Sequence, residues 1–282
     1  MLFITTIAGL RARRAELTTA GRRLAFVPTM GALHDGHLAL VRRGRELAEE
    51  VWASVFVNPT QFAPGEDFER YPRNLERDRA LLHEVGATLL FAPSTKELYP
   101  RPPATVIDLP GLVSGLCGAH RPGHFRGVAL VVAKLLNIVQ PHVAVFGAKD
   151  WQQAVVVRRL VEDLCLPVRI EVHPTQRESD GLARSSRNAY LAPDERRSAA
   201  VLHRSLEGAV AMVHAGERRG AALEAYLAAQ VSAEPLARLQ YAAAVDPDTL
   251  VPLTRIQDRV LLAVAAHVGA TRLIDNVVTE VP

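Results

Sequence analysis

The sequence predicts an α/β protein in which a doubly wound parallel sheet is followed by a smaller C-terminal α+β domain. Short apolar runs at residues 24–27 and 143–146 alternate with longer amphipathic segments, which is the pattern of buried parallel strands joined by helices. The pattern of apolar and polar residues changes at Pro174, where a polar stretch leads to helical and then strand-like segments. We therefore place a first domain at residues 1–174 and a second, lid-like domain at residues 175–282.

The elements of the first domain follow from where apolar periodicity begins and stops. Thr6 can cap a helix directly after the first apolar run. Residues 63–73 combine proline, glycine and mixed charge and are expected to form a loop that can move. The expected strands are residues 2–4, 24–27, 51–57, 88–91, 105–109, 143–146 and 168–172. The expected helices are residues 7–20, 74–85 and 128–139, with two more beginning near 38 and 151. This order is that of a Rossmann-like sheet.

The second domain arranges its elements differently. Segments near 194–215 and 218–232 favour helices, the second because it is rich in alanine. Strand-like runs follow at 238–245, 259–266 and 271–275. Strands that come in a block after helices, instead of alternating with them, are typical of an α+β domain.

Composition excludes several classes of protein. A length of 282 residues, of which 49% are apolar, supports two domains with their own cores. The net charge of +3 comes without a basic block, so no nucleic-acid partner is expected. No membrane span or signal peptide is indicated, and we expect a cytoplasmic protein. Cys117 and Cys165 are too few for a disulfide framework and are expected to be reduced and buried.

Two histidines stand where the strand at 24–27 gives way to a helix. Residues 30–37 read MGALHDGH, so His34 and His37 are three positions apart at the helix entrance. Unpaired backbone N–H groups and the positive end of the helix dipole favour an anion there, and imidazoles suit phosphate oxygens on which charge develops. The alternatives are capping histidines or half of a zinc site, although a third zinc ligand and a His-Glu-x-x-His pattern are missing.

Polar groups also follow other predicted strands or lie in the polar stretch after Pro174. Because strand-end loops of one parallel sheet converge on one crevice, we expect these groups to meet. Together they offer phosphate donors beside neutral amides that can hold a small polar acid. No Walker A or G-x-G-x-x-G sequence follows a strand, which disfavours a P-loop ATPase and a typical dinucleotide enzyme. Besides the histidines, the groups are Asn58 and Gln61; Gly147, Lys149, Asp150 and Gln153; and Ser185, Ser186 and Arg187.

Several stretches resemble known signatures. Residues 30–37 resemble the His-x-Gly-His signature of the nucleotidyltransferase superfamily, and residues 185–188 (SSRN) resemble its second, Lys-Met-Ser-Lys-Ser-type signature. More specifically, the chain is similar to the pantoate–β-alanine ligase family from residue 2 to about 278. The stretches that carry this likeness are residues 56–62 (FVNPTQF), 71–73 (YPR), 124–128 (HFRGV) and 146–153 (FGAKDWQQ).

The resemblance implies an activity. Members of this family are ATP-dependent, AMP-forming ligases that join D-pantoate to β-alanine through a pantoyl-adenylate, in the biosynthesis of pantothenate and coenzyme A. They use Mg²⁺ with ATP and release pyrophosphate. The resemblance further implies a cytoplasmic homodimer whose other partners are small molecules.

The resemblance also assigns roles to residues of this chain. The catalytic residues would be His34, His37, Lys149 and Arg187. ATP would contact Met30, His37, Gly147, Lys149, Asp150, Gln176, Ser185, Ser186 and Arg187. Pantoate would contact Asn58, Gln61 and Gln153, and Asp78 matches a magnesium-associated aspartate.

The chain departs from the family pattern at two positions. Arg184 stands where an apolar residue usually precedes Ser-Ser-Arg, and Ala148 stands where Glu or Gln is frequent. The change at Arg184 could alter how tightly the loop at Ser185 closes. The change at Ala148 is expected to affect a surface contact. Neither position is one to which we assign chemistry.

Three other functions compete with the ligase. A sibling nucleotidyltransferase would leave Gln61 and Gln153 without a role, and a non-catalytic nucleotide-binding module would do the same. A tRNA synthetase is the least favoured, because the second domain is small and the chain lacks a basic RNA-binding face.

Overall fold

The computed structural model describes residues Met1–Pro282, which form two compact units. The first comprises Met1–Gly111, Arg121–Ala148 and Val156–Pro174, and the second comprises Leu112–His120, Lys149–Val155 and Thr175–Pro282. The sequence-based division at residue 174 did not assign the two short segments to the second unit.

Packing explains why these segments belong to the second unit. Val155 lies in a buried apolar cluster with Val245, Leu250 and other residues of the C-terminal part of the chain. Gln152 donates through Nε2 to the carbonyl oxygens of Leu112 at 2.9 Å and Gly115 at 3.0 Å. Hydrogen bonds and apolar contacts therefore join the segments to one another and to this unit.

The first unit contains a six-stranded, fully parallel sheet in the order β1-β4-β3-β2-β5-β6. Its strands are β1 (Leu2–Ile4), β2 (Leu24–Thr29), β3 (Glu50–Val55), β4 (Leu89–Phe91), β5 (Val143–Gly147) and β6 (Arg169–His173). In β2, Ala25 and Val27 belong to an apolar cluster with Leu38 and Val41 of the helix that follows. Phe26 is fully buried between them and, by strand alternation, points to the opposite face. Burial on both faces is why the strands read as continuous apolar runs.

The helices of residues 1–174 end close to their expected bounds in most cases. They are α1 (Ile7–Thr19), α2 (Asp35–Leu47), α3 (Leu75–Glu84), α4 (Thr95–Leu98), α5 (Pro110–Val113), α6 (Leu116–His120), α7 (His124–Val139) and α8 (Trp151–Asp163). Thr6 caps α1 as expected, because its side chain accepts from the Gly9 N–H. The strand expected at 105–109 is absent. Its Val106 is 69% exposed, so this short apolar run has no buried face to hold it in a sheet.

The second unit has a three-stranded antiparallel sheet in the order β7-β8-β9. The elements after residue 174 are helices α9 (Pro193–Ser198), α10 (Val201–His214) and α11 (Gly220–Ser232), and strands β7 (Ala237–Val245), β8 (Arg259–Val268) and β9 (Thr271–Glu280). The helix expected at 194–215 is therefore two helices, and β9 is longer than expected. Apolar residues of α10, α11 and β8 form the core of this unit.

The structure also describes the apolar length of the helices and the state of the two cysteines. No helix is both long and apolar enough to cross a membrane. Both cysteines are free, and Cys117 is buried, but Cys165 is exposed. The expectation of a buried Cys165 was wrong, because this residue lies in the turn after α8 with a positive φ of 50° instead of on the buried face of that helix.

Candidate functional site

The order of strands in the first unit changes direction at β2. β3 and β4 extend the sheet on one side of β2, while β5 and β6 extend it on the other. In open parallel sheets, ligands bind outside the carboxyl ends of strands at such a switch point. Met30 directly follows β2, and Gly147 is the last residue of β5. The predicted site therefore starts at the position where this kind of sheet has its crevice.

The segment of residues 30–37, which we call the histidine turn, joins β2 to α2. Its backbone takes up positive φ angles at Gly31 (80°) and Ala32 (50°). A Cβ on Gly31 would lie 2.8 Å from Asp78 Oδ2, so both the φ angle and the close approach require glycine. His34 then acts as the N-cap of α2.

The two imidazoles of the histidine turn are oriented by backbone hydrogen bonds. Nδ1 of His34 accepts from the Gly36 N–H at 3.1 Å, and Nδ1 of His37 accepts from the His34 N–H at 3.4 Å. The ring centroids are 4.2 Å apart. A neutral imidazole that accepts at Nδ1 carries its proton on Nε2. The capping role that the sequence offered as an alternative is therefore confirmed, and the proton of each neutral ring lies on Nε2.

Asp78 holds the histidine turn from α3. Its side chain is buried, with Oδ2 accepting from the Ala32 N–H at 3.0 Å and Oδ1 accepting from the Leu33 N–H at 2.8 Å. Burial raises the pKa of Asp78, and the two N–H bonds oppose that shift. The carboxylate thus compensates two backbone donors that the tight turn leaves without partners.

This geometry does not fit the expected magnesium role of Asp78. Mg²⁺ needs a near-octahedral set of oxygen ligands, usually including a carboxylate that points toward water and phosphate. Both oxygens of Asp78 instead face backbone N–H groups. Sequence reasoning missed the supporting role, for which the only signal was an acidic residue on a helix beside the strained turn.

Asn58 and Gln61 flank a short 3₁₀ helix, Pro59–Gln61, after β3. Both side chains are buried. Asn58 Nδ2 donates to Gln61 Oε1 at 3.1 Å and to the carbonyl oxygen of Gly127 at 3.1 Å. Gln61 Nε2 contacts Met30 Sδ at 2.9 Å. The structure therefore brings Asn58, Gln61 and Met30 together, as predicted for residues at neighbouring strand ends.

A charged network that the sequence did not predict holds the backbone of Gln61. Arg121 Nη2 donates to Glu66 Oε2 at 2.6 Å, and His124 Nδ1 lies 2.8 Å from the Gln61 carbonyl oxygen. Burial alone would raise the pKa of Glu66, but the hydrogen bonds from Arg121 hold that pKa below its ordinary value. The network ties part of the loop at 63–73 to the segment that begins α7.

In the second unit, the backbone around Lys149 is attached to β9. Lys149 lies in a 3₁₀ turn, Ala148–Asp150, and its carbonyl oxygen accepts from Asn276 Nδ2 at 2.7 Å. The two glutamines that follow have different surroundings. Gln152 is buried and bonded to backbone groups, whereas Gln153 is half-buried and makes none of those bonds. Of the adjacent pair, Gln153 is thus the one suited to a ligand.

The segment of residues 185–190, which we call the serine turn, is also capped locally. Ser185 is the N-cap of a five-residue 3₁₀ helix, Ser186–Tyr190, and its Oγ accepts from the Arg187 N–H at 3.3 Å. The carbonyl oxygen of Gln176 accepts from the Arg184 N–H at 2.9 Å, and Arg184 Nη2 lies 3.1 Å from Glu178 Oε2. The unusual arginine therefore has a carboxylate partner on the same loop.

Deeper support for this loop comes from an ion pair. Arg177 donates to both oxygens of Asp275, at 2.6 and 3.0 Å, and Asp275 is only 1% exposed. A bidentate Arg–carboxylate pair is among the strongest polar contacts in proteins. The second unit thus groups Gln176, Ser185, Ser186 and Arg187 on one supported loop, while their expected meeting with the groups of the first unit stays a prediction.

Comparison with known proteins gives consistent matches along the whole chain. A family model for pantoate-beta-alanine ligase matches residues 2–278. A pantothenate synthetase from Moorella thermoacetica is 53% identical over 281 residues, covering 100% of this chain and 99% of its own. A crystal structure of pantothenate synthetase from Thermus thermophilus shares 49% identity with a TM-score of 0.92, covering 98% of this chain and 99% of its own. A pantoate-beta-alanine ligase from Francisella tularensis, solved in complex with beta-gamma ATP and β-alanine, shares 32% identity with a TM-score of 0.81. The match covers 98% of this chain and 97% of that protein.

Proposed function

Because the chain belongs to the pantoate–β-alanine ligase family, we propose that it condenses D-pantoate with β-alanine to pantothenate at the cost of ATP. The carboxylate of pantoate attacks the α-phosphorus of ATP, which gives a pantoyl-adenylate and pyrophosphate. The amine of β-alanine then attacks the activated carbonyl and releases AMP. The observation that carries this proposal is the histidine turn at the switch point of the sheet, with its two oriented imidazoles.

The histidines are suited to the first of these steps. Attack by a carboxylate on the α-phosphorus adds negative charge to oxygens that already carry it. Donors that are held in place before the reaction stabilise that charge without reorganising. In the neutral rings of His34 and His37, the Nε2–H groups are such donors, since backbone N–H groups occupy both Nδ1 atoms.

The remaining ATP contacts are assigned by family membership. We propose that Lys149 and Arg187 add positive charge to the phosphates and act with the histidines as catalytic residues. The further proposed contacts to ATP are Met30, Gly147, Asp150, Gln176, Ser185 and Ser186.

We propose that pantoate is held by neutral amides. Gln61 and Gln153 would hydrogen-bond to its hydroxyl and carboxylate oxygens without adding charge. Asn58 is nearly fully buried and bonded to Gln61, so its contribution is to orient Gln61. A site built this way rejects acids that lack the matching oxygens, because its buried amides would stay unpaired.

We retain Mg²⁺ as the proposed cofactor, in the form of the ion that accompanies ATP. Asp78 is not assigned as its ligand, since both carboxylate oxygens already accept backbone N–H groups. A cytoplasmic homodimer that acts on small molecules only is likewise proposed from family membership.

The decisive experiment is exchange of labelled pyrophosphate into ATP. We expect exchange when pantoate and Mg²⁺ are present and β-alanine is absent, since adenylation must precede amide formation. Exchange that requires β-alanine would contradict this order. Absence of any pantoate-dependent exchange, together with no pantothenate formed from all three substrates, would overturn the proposed function.

A further inference from the structure

We propose that Tyr99 is a positioning residue for this reaction. Through Asn58, it fixes the side-chain amide of Gln61 so that Gln61 presents its NH₂ group, and not its carbonyl oxygen, to the acid substrate. This inference rests on the proposed function, in which Gln61 binds pantoate. It adds a residue 38 positions from Gln61 in the chain that no signature of the sequence singled out.

The hydroxyl of Tyr99 reaches the end of the Asn58 side chain. Tyr99 directly follows α4, and its OH donates to Asn58 Oδ1 at 3.1 Å. Its ring is held on two sides, with Lys134 Nζ 5.1 Å from the ring centroid and the Phe56 ring centroid 6.2 Å away. Burial raises the pKa of Tyr99, with hydrogen bonding to Thr60 opposing the shift. The hydroxyl therefore keeps its proton at neutral pH and remains able to donate.

The hydrogen bonds around Asn58 permit one orientation of its amide. Oδ1 accepts from the Tyr99 hydroxyl, from the Thr60 N–H at 3.3 Å and from Thr60 Oγ1 at 3.0 Å. Nδ2 faces two acceptors, the carbonyl oxygen of Gly127 and Gln61 Oε1. A flipped amide would place its NH₂ group against the Thr60 N–H and its oxygen against two other oxygens. The flipped form is therefore strongly disfavoured.

The backbone around this contact is tightly packed. A Cβ on Gly127 would lie 2.2 Å from the Thr60 carbonyl oxygen and 2.6 Å from the Gln61 nitrogen. Only glycine lets α7 approach the 3₁₀ helix closely enough for the Gly127 carbonyl to accept from Asn58. Both Oδ1 and Nδ2 of Asn58 are thus held by hydrogen bonds, which makes this side chain a rigid link between Tyr99 and Gln61.

The orientation of Asn58 determines what Gln61 can offer a substrate. Gln61 Oε1 accepts from Asn58 Nδ2, so the NH₂ group is the end of this side chain that points away from Asn58. That nitrogen contacts Met30 Sδ at 2.9 Å, and a thioether sulfur is a weak acceptor. A carboxylate or hydroxyl oxygen of a bound acid would be a far better partner. Gln61 is therefore built as a donor, which matches an acid and not an amine or ammonium group.

The first test is Tyr99→Phe, which removes the hydroxyl and keeps the ring. Asn58 Oδ1 retains its bonds from Thr60, so we expect a moderate effect, a roughly three- to tenfold rise in pantoate KM and Kd. The Kd of ATP and kcat should stay within about twofold, because those quantities do not depend on Gln61. Tyr226→Phe, in the second unit, is the matched control and should leave all four quantities unchanged.

A double-mutant cycle separates positioning from general damage. Gln61→Ala should raise pantoate KM, and adding Tyr99→Phe to it should change little more, because Tyr99 acts through Gln61. An unchanged pantoate KM in Tyr99→Phe, or effects that simply add, would overturn the role of Tyr99 while leaving the proposed function intact. If Gln61→Ala has no effect on pantoate while pantoate-dependent exchange persists, the assignment of Gln61 fails and the inference fails with it.

A further variant tests the donor orientation even if Tyr99→Phe does not fold. Gln61→Glu keeps an oxygen that can accept from Asn58 and replaces the NH₂ group by a second, negatively charged oxygen. We expect pantoate to bind more weakly to Gln61→Glu than to Gln61→Ala, since two anionic oxygens would face each other. Equal or tighter binding to Gln61→Glu would overturn the inference.

Discussion

The histidine turn and the serine turn both contain a side chain that caps a helix, but different contacts hold the two turns in place. In each, a side chain caps the element that follows, His34 through Nδ1 and Ser185 through Oγ. The histidine turn leads into the 13-residue helix α2 and rests on the buried carboxylate of Asp78. The serine turn contains only a five-residue 3₁₀ helix, Ser186–Tyr190.

The contacts nearest the serine turn are also more exposed to solvent. Asp180 pairs with Arg196, and Glu178 pairs with Arg184, with side chains that are 30–40% exposed. Ion pairs of this kind contribute little to stability and can rearrange. Groups that stabilise a transition state must be held before the reaction, whereas groups that grip phosphates can adjust as the ligand binds. Under the proposed function, these two requirements are divided between the two turns.

The largest effect is expected from the imidazoles. His37→Ala should form adenylate at least about a hundredfold more slowly, since loss of one such donor typically costs 10²–10³ in rate. ATP binding should persist, and the variant should melt within a few degrees of the parent. Single-turnover adenylation, ATP titration and thermal melting measure the three quantities. Unfolding of the variant, or a metal bound in stoichiometric amount by the parent through this pair, would show that the histidines are structural.

His34→Asn separates capping from chemistry at the same turn. Asparagine is among the best N-cap residues, so this variant should keep the helix start and lose only the imidazole. Adenylation should still fall by about two orders of magnitude. If His34→Asn is fully active while His34→Ala is not, His34 acts only as a cap.

The next largest effect is expected at Asp78, whose hydrogen bonds make the histidine turn more rigid than the serine turn. In Asp78→Asn, an NH₂ group would face a backbone N–H that the carboxylate now accepts from. We expect the free energy of unfolding to fall by about 2 kcal/mol or more, which lowers Tm by about 5 °C. Adenylation should be about tenfold slower, because the histidines are misplaced. The matched control is Asp163→Asn, which breaks the exposed pair with Arg159 and should change neither quantity. A stable and fully active Asp78→Asn would remove the proposed difference between the turns.

A smaller, pH-dependent effect is expected at the base of the serine turn. Hydrogen bonds from Arg196 hold the pKa of Asp180 below its ordinary value. A carboxyl whose pKa is lower in the folded state stabilises the fold above its unfolded pKa and loses that contribution as pH falls through the folded pKa. Asp180→Asn should therefore lower stability by well under 1 kcal/mol at pH 7, and the difference should vanish once the pH is low enough to protonate Asp180 in the folded state. A tenfold loss of activity at pH 7 would mean that the serine turn is as strictly held as the histidine turn.

The smallest effect should come from Arg184→Met, which restores the apolar residue that the family usually carries. Arg184 pairs with Glu178, so we expect the Kd of ATP to change by less than about twofold at low and at physiological salt. Arg187→Met is the contrasting variant and should weaken ATP binding clearly. A tenfold loss in Arg184→Met, larger at low salt, would show that this arginine contacts the phosphates.

Much of the fold was predictable because its signals are local. Thr6, Asn74 and Ser185 cap the elements that follow them, and buried strands show as apolar runs. Errors arose where local signals conflict with packing. The run at 105–109 has strand-like residues but no partner, and the helix expected at 194–215 is interrupted after Ser198. Periodicity does not show where a helix stops when both sides of the break favour helix.

Within the site, the sequence by itself determined which residues we propose as carriers of the chemistry. The order of strand, glycine turn and helix placed His34 and His37 at a helix start, and the ends of two other strands marked Asn58, Gln61 and Gly147. These conclusions need only short-range patterns, because a strand end and a helix start are local features.

The tertiary structure alone decided how those residues are held. Asp78 meets the histidine turn across 45 residues of chain, and Tyr99 meets Asn58 across 41. Whether a carboxylate binds a metal or two backbone N–H groups depends on which partners the packed strands and helices bring to it. Equally, the oxygen of the Gln61 amide faces Asn58 because Asn58 is itself held by Tyr99, Thr60 and Gly127. Hydrogen-bond direction depends on every neighbour at once, and those neighbours come from distant parts of the chain.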